Sequence, residues 1–123
     1  MMTKAKGLRR IINAGKYSLQ GLKSAFLNET AFRQEIYLLI AACIIVMLID
    51  FSIYERILLV GSIGFIMIVE LINSAIECVV DRIGPERHEL SGRAKDYGSA
   101  AVLMSIVLAI VLWIYIFTCH YFP

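Results

Sequence analysis

From Leu8 onward the apolar side of the chain runs through Leu8, Ile11, Ile12, Gly15, Leu19, Leu22 and Phe26, at steps of three and four, with Arg9, Arg10, Lys16 and Lys23 between them. That spacing predicts an amphipathic helix within residues 1–30. Its basic face suits anionic headgroups while the apolar face dips into the interface; the alternative is a helix packed on its own protein. Three long apolar segments follow, about Ile36–Phe51, Ile57–Val80 and Tyr97–Phe122. Each is near the length that crosses a hydrocarbon core of ~30 Å. The first is short and gains depth from Ala31 and Phe32, with Arg33 and Glu35 near the interface, so the spans are drawn at 33–51, 57–80 and 97–122. A short connector, Asp50–Arg56, makes the first two spans an antiparallel hairpin, and residues 81–96 read as a polar loop before the third. The expected fold is all-α and membrane-integral: one domain over 1–123, a surface helix and three transmembrane helices.

Composition agrees and adds self-association. Of 123 residues, 59% are hydrophobic and 18% charged, more apolar surface than a soluble domain of this length can bury. So short a chain has few helices with which to wall off a site, which predicts an oligomer. The net charge of +2 and the lack of basic tracts with interleaved aromatics argue against nucleic acid as a partner. Cys43, Cys78 and Cys119 are dispersed in apolar runs and read as small core residues rather than ligands or a disulfide framework. The basic, amphipathic start is unlike a cleavable signal and is expected to be retained.

Charge position sets orientation. Seven Lys and Arg precede the first span (Lys4, Lys6, Arg9, Arg10, Lys16, Lys23, Arg33), four lie between Arg82 and Lys95, and Arg56 alone sits in the other connector. The positive-inside rule then places the N-terminus and the 81–96 segment in the cytoplasm and the C-terminus outside. Both charged regions thus share the compartment that holds ATP.

The candidate chemistry lies on the middle span, where Glu70, Asn73 and Glu77 share one face of an otherwise apolar helix. Burying such a stripe costs at least a few kcal/mol, so two aligned carboxylates call for a function or a partner. Helix-to-helix hydrogen bonding is the structural alternative. Counting from Asp81, Glu77 lies roughly 6 Å and Glu70 roughly 16 Å into the span. The shallower acid can meet a water-borne cation and the deeper one a lipid hydroxyl. Glu29, at the junction of surface helix and first span, can join Glu77 in holding a divalent cation that leaves positions open for phosphate oxygens, as magnesium prefers. Glu86, His88, Arg93, Lys95 and Asp96 can surround a polyphosphate, or simply form a solvated loop. Neither the GxxxxGK[ST] phosphate loop nor a protein-kinase signature is present.

With these residues in view, three segments resemble the bacterial membrane diacylglycerol kinases, a family that includes undecaprenol kinases: FRQE at Phe32–Glu35, VELINSAIECVVDRIG at Val69–Gly84 and HELSGRAKDYGSAAVL at His88–Leu103. The HELSGRAKD and NETAFRQE stretches look more like the diacylglycerol branch. The resemblance covers nearly the whole chain and implies a homotrimeric bundle with active sites between subunits, in the bacterial inner membrane. It further implies ATP and diacylglycerol as substrates and Mg2+ as cofactor. By residue, it implies Glu70 as the catalytic base and contact to the lipid hydroxyl, Asn73 as its support, and Glu29 and Glu77 as the metal-holding pair that also binds nucleotide. Tyr17, Glu86, His88, Lys95 and Asp96 match nucleotide-binding positions, and Arg10, Ser99 and Trp113 match lipid-substrate positions. Leu19 and Phe26 depart from the tryptophans expected there, which removes indole anchoring without touching the chemistry.

Two other classes of function compete. A small proton-coupled exporter also uses a membrane-embedded glutamate, though it has no use for the surface helix. A non-catalytic assembly subunit would use the acids only to bind its neighbours. An undecaprenol kinase is the runner-up within the family.

Overall fold

The computed structural model describes residues 6–123, and among them there are four helices and no strand: α1 (Leu8–Asn28), α2 (Thr30–Leu48), α3 (Ile53–Ile83) and α4 (Glu89–Tyr121). Residues 1–5, including Lys4 and the start of the expected surface helix, lie outside the described residues. α2, α3 and α4 are each long and apolar enough to cross a membrane. The chain is an all-α membrane protein.

α1 keeps its apolar stripe away from the rest of the chain. Leu8, Ile11, Leu19 and Leu27 are all exposed, and Ala25 alone is buried. Within one chain, then, that stripe is left without a packing partner, as an interfacial helix would have it.

The connection from α2 to α3 is set by a capping box. The Ser52 hydroxyl accepts the Glu55 N–H at 3.2 Å, and the Glu55 carboxylate accepts the Ser52 N–H at 3.0 Å. Two donors that the first helical turn leaves open are thereby satisfied. This start precedes the span boundary expected at Ile57, because an S-x-x-E signature begins a helix whether or not the next turn is apolar. The Arg56 guanidinium donates to the Ile49 carbonyl at 3.4 Å and closes the turn from the other side.

Both ends of the expected 81–96 loop are helical. Asp81–Ile83 continue α3, Glu89–Asp96 form the first turns of α4, and only 84–88 remain as linker. Backbone hydrogen bonding does not stop where the bilayer does, so a boundary drawn from hydropathy falls short of the helix end. α3 has 31 residues and α4 has 33, about 46 Å and 50 Å at 1.5 Å per residue, so both outreach the hydrocarbon. α3 stops at Gly84, whose φ of 156° and ψ of 163° lie in a region open essentially to glycine, and Pro85 follows.

The spans meet along seams of near-heptad spacing. α3 buries Leu59, Ile63, Ile66, Glu70, Asn73 and Ser74, and α4 buries Gly98, Ser105, Ala109 and Ile116. In lipid there is no hydrophobic drive to pair helices, so close backbone approach over small residues and dispersion between packed side chains supply the attraction. Two clusters result: Ala42, Ile63, Ile66 and Ala109 in the middle of the bundle, and Val46, Phe51, Leu59 and Ile116 toward the C-terminal end of α4. Glu70 and Asn73 occupy seam positions of this same pattern, which is why they face protein rather than lipid.

Candidate active site

α3 presents its acids to the other helices as a column. Glu70 and Asn73 are buried and Glu77, one turn further, is half-buried. The Asn73 amide Nδ2 donates to Glu77 Oε1 at 3.3 Å, while its carbonyl oxygen Oδ1 is buried without a hydrogen-bond partner. Glu29, Glu35 and Glu70 come from three elements, yet Glu29, Glu35 and Glu77 all lie close enough to Glu70 to act on it electrostatically. Four carboxylates therefore share one region of the bundle.

Glu29 reaches that region because α1 and α2 break there. It is the single residue between them, with extended φ and ψ of −111° and 109°. Its side chain makes no capping hydrogen bond to α2, so the carboxylate is uncommitted. The bend is held instead by Arg33, whose Nη1 donates to the Phe26 and Leu27 carbonyls at 2.8 and 3.0 Å and whose Nη2 donates to Thr30 Oγ1 at 3.1 Å. These are carbonyls that the last turn of α1 leaves open. Arg33→Ala is expected to loosen this elbow. Amide exchange at Phe26–Glu29 should rise, and activity should fall through the placement of Glu29, with partial rescue in Arg33→Lys.

Two clefts flank the column. One of about 510 Å³ lies between the second half of α1 and α3 and is lined by Ser18, Ser24, Glu29, Ser74 and Cys78 among others. The second, also about 510 Å³, lies at the α3–α4 linker, where Asp81, Glu86, His88 and Lys95 are among the residues that line it. In the polar first turns of α4, Lys95 Nζ donates to Asp81 Oδ1 at 2.7 Å. That bond and the charge of Asp81 hold the ammonium above the ordinary lysine range, with Glu77 adding a smaller pull in the same direction. The lysine thus stands between the linker cleft and the acid column. His88 caps α4, its Nδ1 accepting the Leu90 N–H at 3.1 Å.

The other residues singled out from the sequence are dispersed. Asp96 is exposed and lines neither cleft. Tyr17 and Arg10 are exposed on α1, and Ser99 is exposed on α4. Trp113 is part of the packing between spans: its Nε1 donates to Ser62 Oγ at 2.9 Å, and its ring stacks on Phe117 at 5.8 Å. It also borders a third, apolar cleft of about 410 Å³ between α2 and α4 that has Glu35 in its wall. Fourteen residues separate Ser99 from Trp113, roughly 21 Å along the helix, so one copy does not bring Arg10, Ser99 and Trp113 together.

Three residues of this region escaped the sequence reading as parts of it. Glu35 is an acid inside the first span, 35 positions from Glu70, and no spacing rule links the two. Asp81 reads as the polar end of a span. Gly98 reads as an ordinary glycine in a membrane helix. Glu35 ends the polar stretch just before the apolar segment that begins at Ile36, so no signal along the chain sets it apart from an interfacial acid.

A column of polar side chains within a bundle of membrane helices, with a cleft lined by Asp81, Glu86 and Lys95 at the α3–α4 linker, is the candidate site of this chain. The prokaryotic diacylglycerol kinase family model matches residues 16–117 of this chain. The diacylglycerol kinase of Escherichia coli K12 is 50% identical over 121 residues, which cover 98% of this chain and 99% of that protein. That of Haemophilus influenzae is 55% identical over 115 residues, 91% of this chain and 95% of the relative, and that of Pseudomonas aeruginosa is 47% identical over 107 residues, 87% of each. The chain belongs to the prokaryotic diacylglycerol kinase family and is a bacterial membrane protein.

Proposed function

We propose that this chain transfers the γ-phosphate of ATP to the free hydroxyl of diacylglycerol, giving phosphatidic acid, at the cytoplasmic face of the bacterial inner membrane. The observation that carries the reading is the α3 column of Glu70, Asn73 and Glu77, with Glu29 delivered beside it by the α1–α2 elbow. The near-full-length relatives named diacylglycerol kinase support the acceptor lipid.

Glu70 takes the proton from the lipid hydroxyl as that oxygen attacks phosphorus; seated deepest in the column, it meets a group that stays near the headgroup boundary. Asn73 orients the neighbouring acid through its amide. Glu29 and Glu77 fit a small divalent cation: Glu29 makes no capping hydrogen bond, and Glu77 has one carboxylate oxygen, Oε2, clear of the Asn73 amide. Two carboxylates suit magnesium, which completes its shell with phosphate oxygens and water. When bound, magnesium would neutralise charge on the ATP phosphates. Lys95 meets those phosphates by exchanging its bond to Asp81, with Glu86, His88, Asp96 and Tyr17 around the rest of the nucleotide.

The assembly is a homotrimer with sites completed between subunits, which brings Arg10, Ser99 and Trp113 to the lipid. Supporting a shared site, one copy leaves Arg10, Ser99 and Trp113 apart. The N-terminus and the 84–88 linker face the cytoplasm, and the C-terminus faces outward.

Phosphate transfer from labelled ATP in mixed micelles tests the reading, with and without magnesium, with diacylglycerol and undecaprenol offered side by side. Magnesium-dependent labelling of diacylglycerol is the expected result. Labelling of undecaprenol alone would keep the mechanism and change the acceptor. No labelling of either lipid by folded protein would overturn the kinase reading and restore the exporter.

A further inference from the structure

We propose that Gly98 of α4 is a positioning residue for the reaction: its bare Cα is the seat against which the Asn73 carboxamide rests, and this seat aims Nδ2 at Glu77. The inference rests on the functional reading above and adds to it a residue that touches neither substrate.

Three observations converge on the contact. Gly98 is buried on the α4 seam, opposite the buried Asn73 of α3. A Cβ built at Gly98 would collide with Asn73 Oδ1, and it would also stand 3.1 Å from Asn73 Cγ and 3.8 Å from its Cβ. No other glycine among the described residues would bring a Cβ within 4 Å of a neighbour. Asn73 Oδ1, the atom pressed on this surface, is buried and has no hydrogen-bond partner, so no polar contact fixes it there. Steric fit against Gly98 leaves the carboxamide with its other end on Glu77 Oε1.

A methyl group at 98 displaces the Asn73 tip, because Oδ1 stands in its place and Cγ is crowded at 3.1 Å. Oδ1 and Nδ2 belong to one planar amide, so turning the oxygen away also turns Nδ2 relative to Glu77 Oε1. The backbones of α3 and α4 need not separate, so the change moves the polar group and leaves the bundle. A shift of about 1 Å in a positioned group is enough to cost on the order of 100-fold in rate.

The test uses the full-length protein in detergent micelles. Gly98→Ala is expected to lower kcat roughly 10- to 100-fold with little change in KM for ATP or diacylglycerol and with assembly retained. The chain has three asparagines, Asn13, Asn28 and Asn73, so selective 15N-asparagine labelling resolves the Asn73 amide. In Gly98→Ala the Asn73 side-chain pair should shift while the other two stay in place. Combining Gly98→Ala with Asn73→Ala removes the collision, and this double variant should match Asn73→Ala alone in both kcat and unfolding temperature. Should Gly98→Ala fail to fold by itself, that double variant carries the comparison.

Wild-type kcat, an unmoved Asn73 resonance, or a loss that persists undiminished in the Asn73→Ala background would each overturn the proposal, the last by placing Gly98 in helix packing. Glu70→Gln assayed alongside keeps the two readings apart. An inactive Glu70→Gln beside a fully active Gly98→Ala rejects the role of Gly98 alone, whereas an active Glu70→Gln rejects the reaction assigned to the column.

Discussion

Glu70→Gln is expected to lower turnover by roughly 10²- to 10⁴-fold, the range a positioned general base contributes, while the protein remains folded and assembled. The amide keeps the shape and burial of the acid and removes its capacity to take a proton. It also removes the carboxylate on which Glu29, Glu35 and Glu77 all act. Unfolding temperature should therefore hold or rise as activity disappears. A catalytic group held in an unfavourable field has this signature, and a structural one does not. Near-normal turnover in Glu70→Gln would rule out the base. A fall in unfolding temperature with loss of assembly would favour the acids as intersubunit glue, the reading in which α3 merely binds its neighbours.

Glu77→Gln should act on the cation and leave the proton step intact. Loss of one of two carboxylates that hold magnesium is expected to lower kcat/KM for ATP by about 100-fold or more at fixed magnesium, with the deficit shrinking as magnesium is raised. Mn2+ titrated as a paramagnetic probe should bind more weakly in Glu77→Gln and in Glu29→Gln, and about as tightly as in the parent in Glu70→Gln. Equal weakening in all three would mean that the four acids form one undivided cation site, and the division of roles between Glu70 and the Glu29–Glu77 pair would fall. The Asn73 amide on Glu77 makes the glutamine informative in a second way. An amide oxygen at position 77 can still accept from Nδ2, so this variant removes charge while leaving that hydrogen bond available.

Much of this site was legible along the chain because periodicity reports which residues share a helix face. Glu70, Asn73 and Glu77 are one such face, and their cost in lipid marks them before any fold is known. The seam spacing of α3 then explains their burial: the polar residues continue the pattern set by Leu59, Ile63 and Ile66. Glu29 was legible as an acid at a helix junction, but its availability depends on Arg33 holding the elbow in its place.

What the sequence by itself determined is everything that depends on local hydrogen bonding and on transfer between water and lipid. Those free energies belong to single residues and to neighbours three and four apart, so they appear as apolar lengths, capping residues and charge asymmetry. The three spans, the amphipathic α1, and the acid face of α3 are of this kind. Only the tertiary structure decided which distant residues meet. Glu35 is within the field of Glu70, Lys95 is bonded to Asp81, Trp113 donates to Ser62, and Gly98 is the surface under Asn73. In lipid, helices associate through close packing rather than through a hydrophobic pattern, and such packing depends on the relative rotation and offset of whole helices. No residue carries that information alone, which is why a buried glycine opposite an asparagine is visible in the folded bundle and silent in the chain.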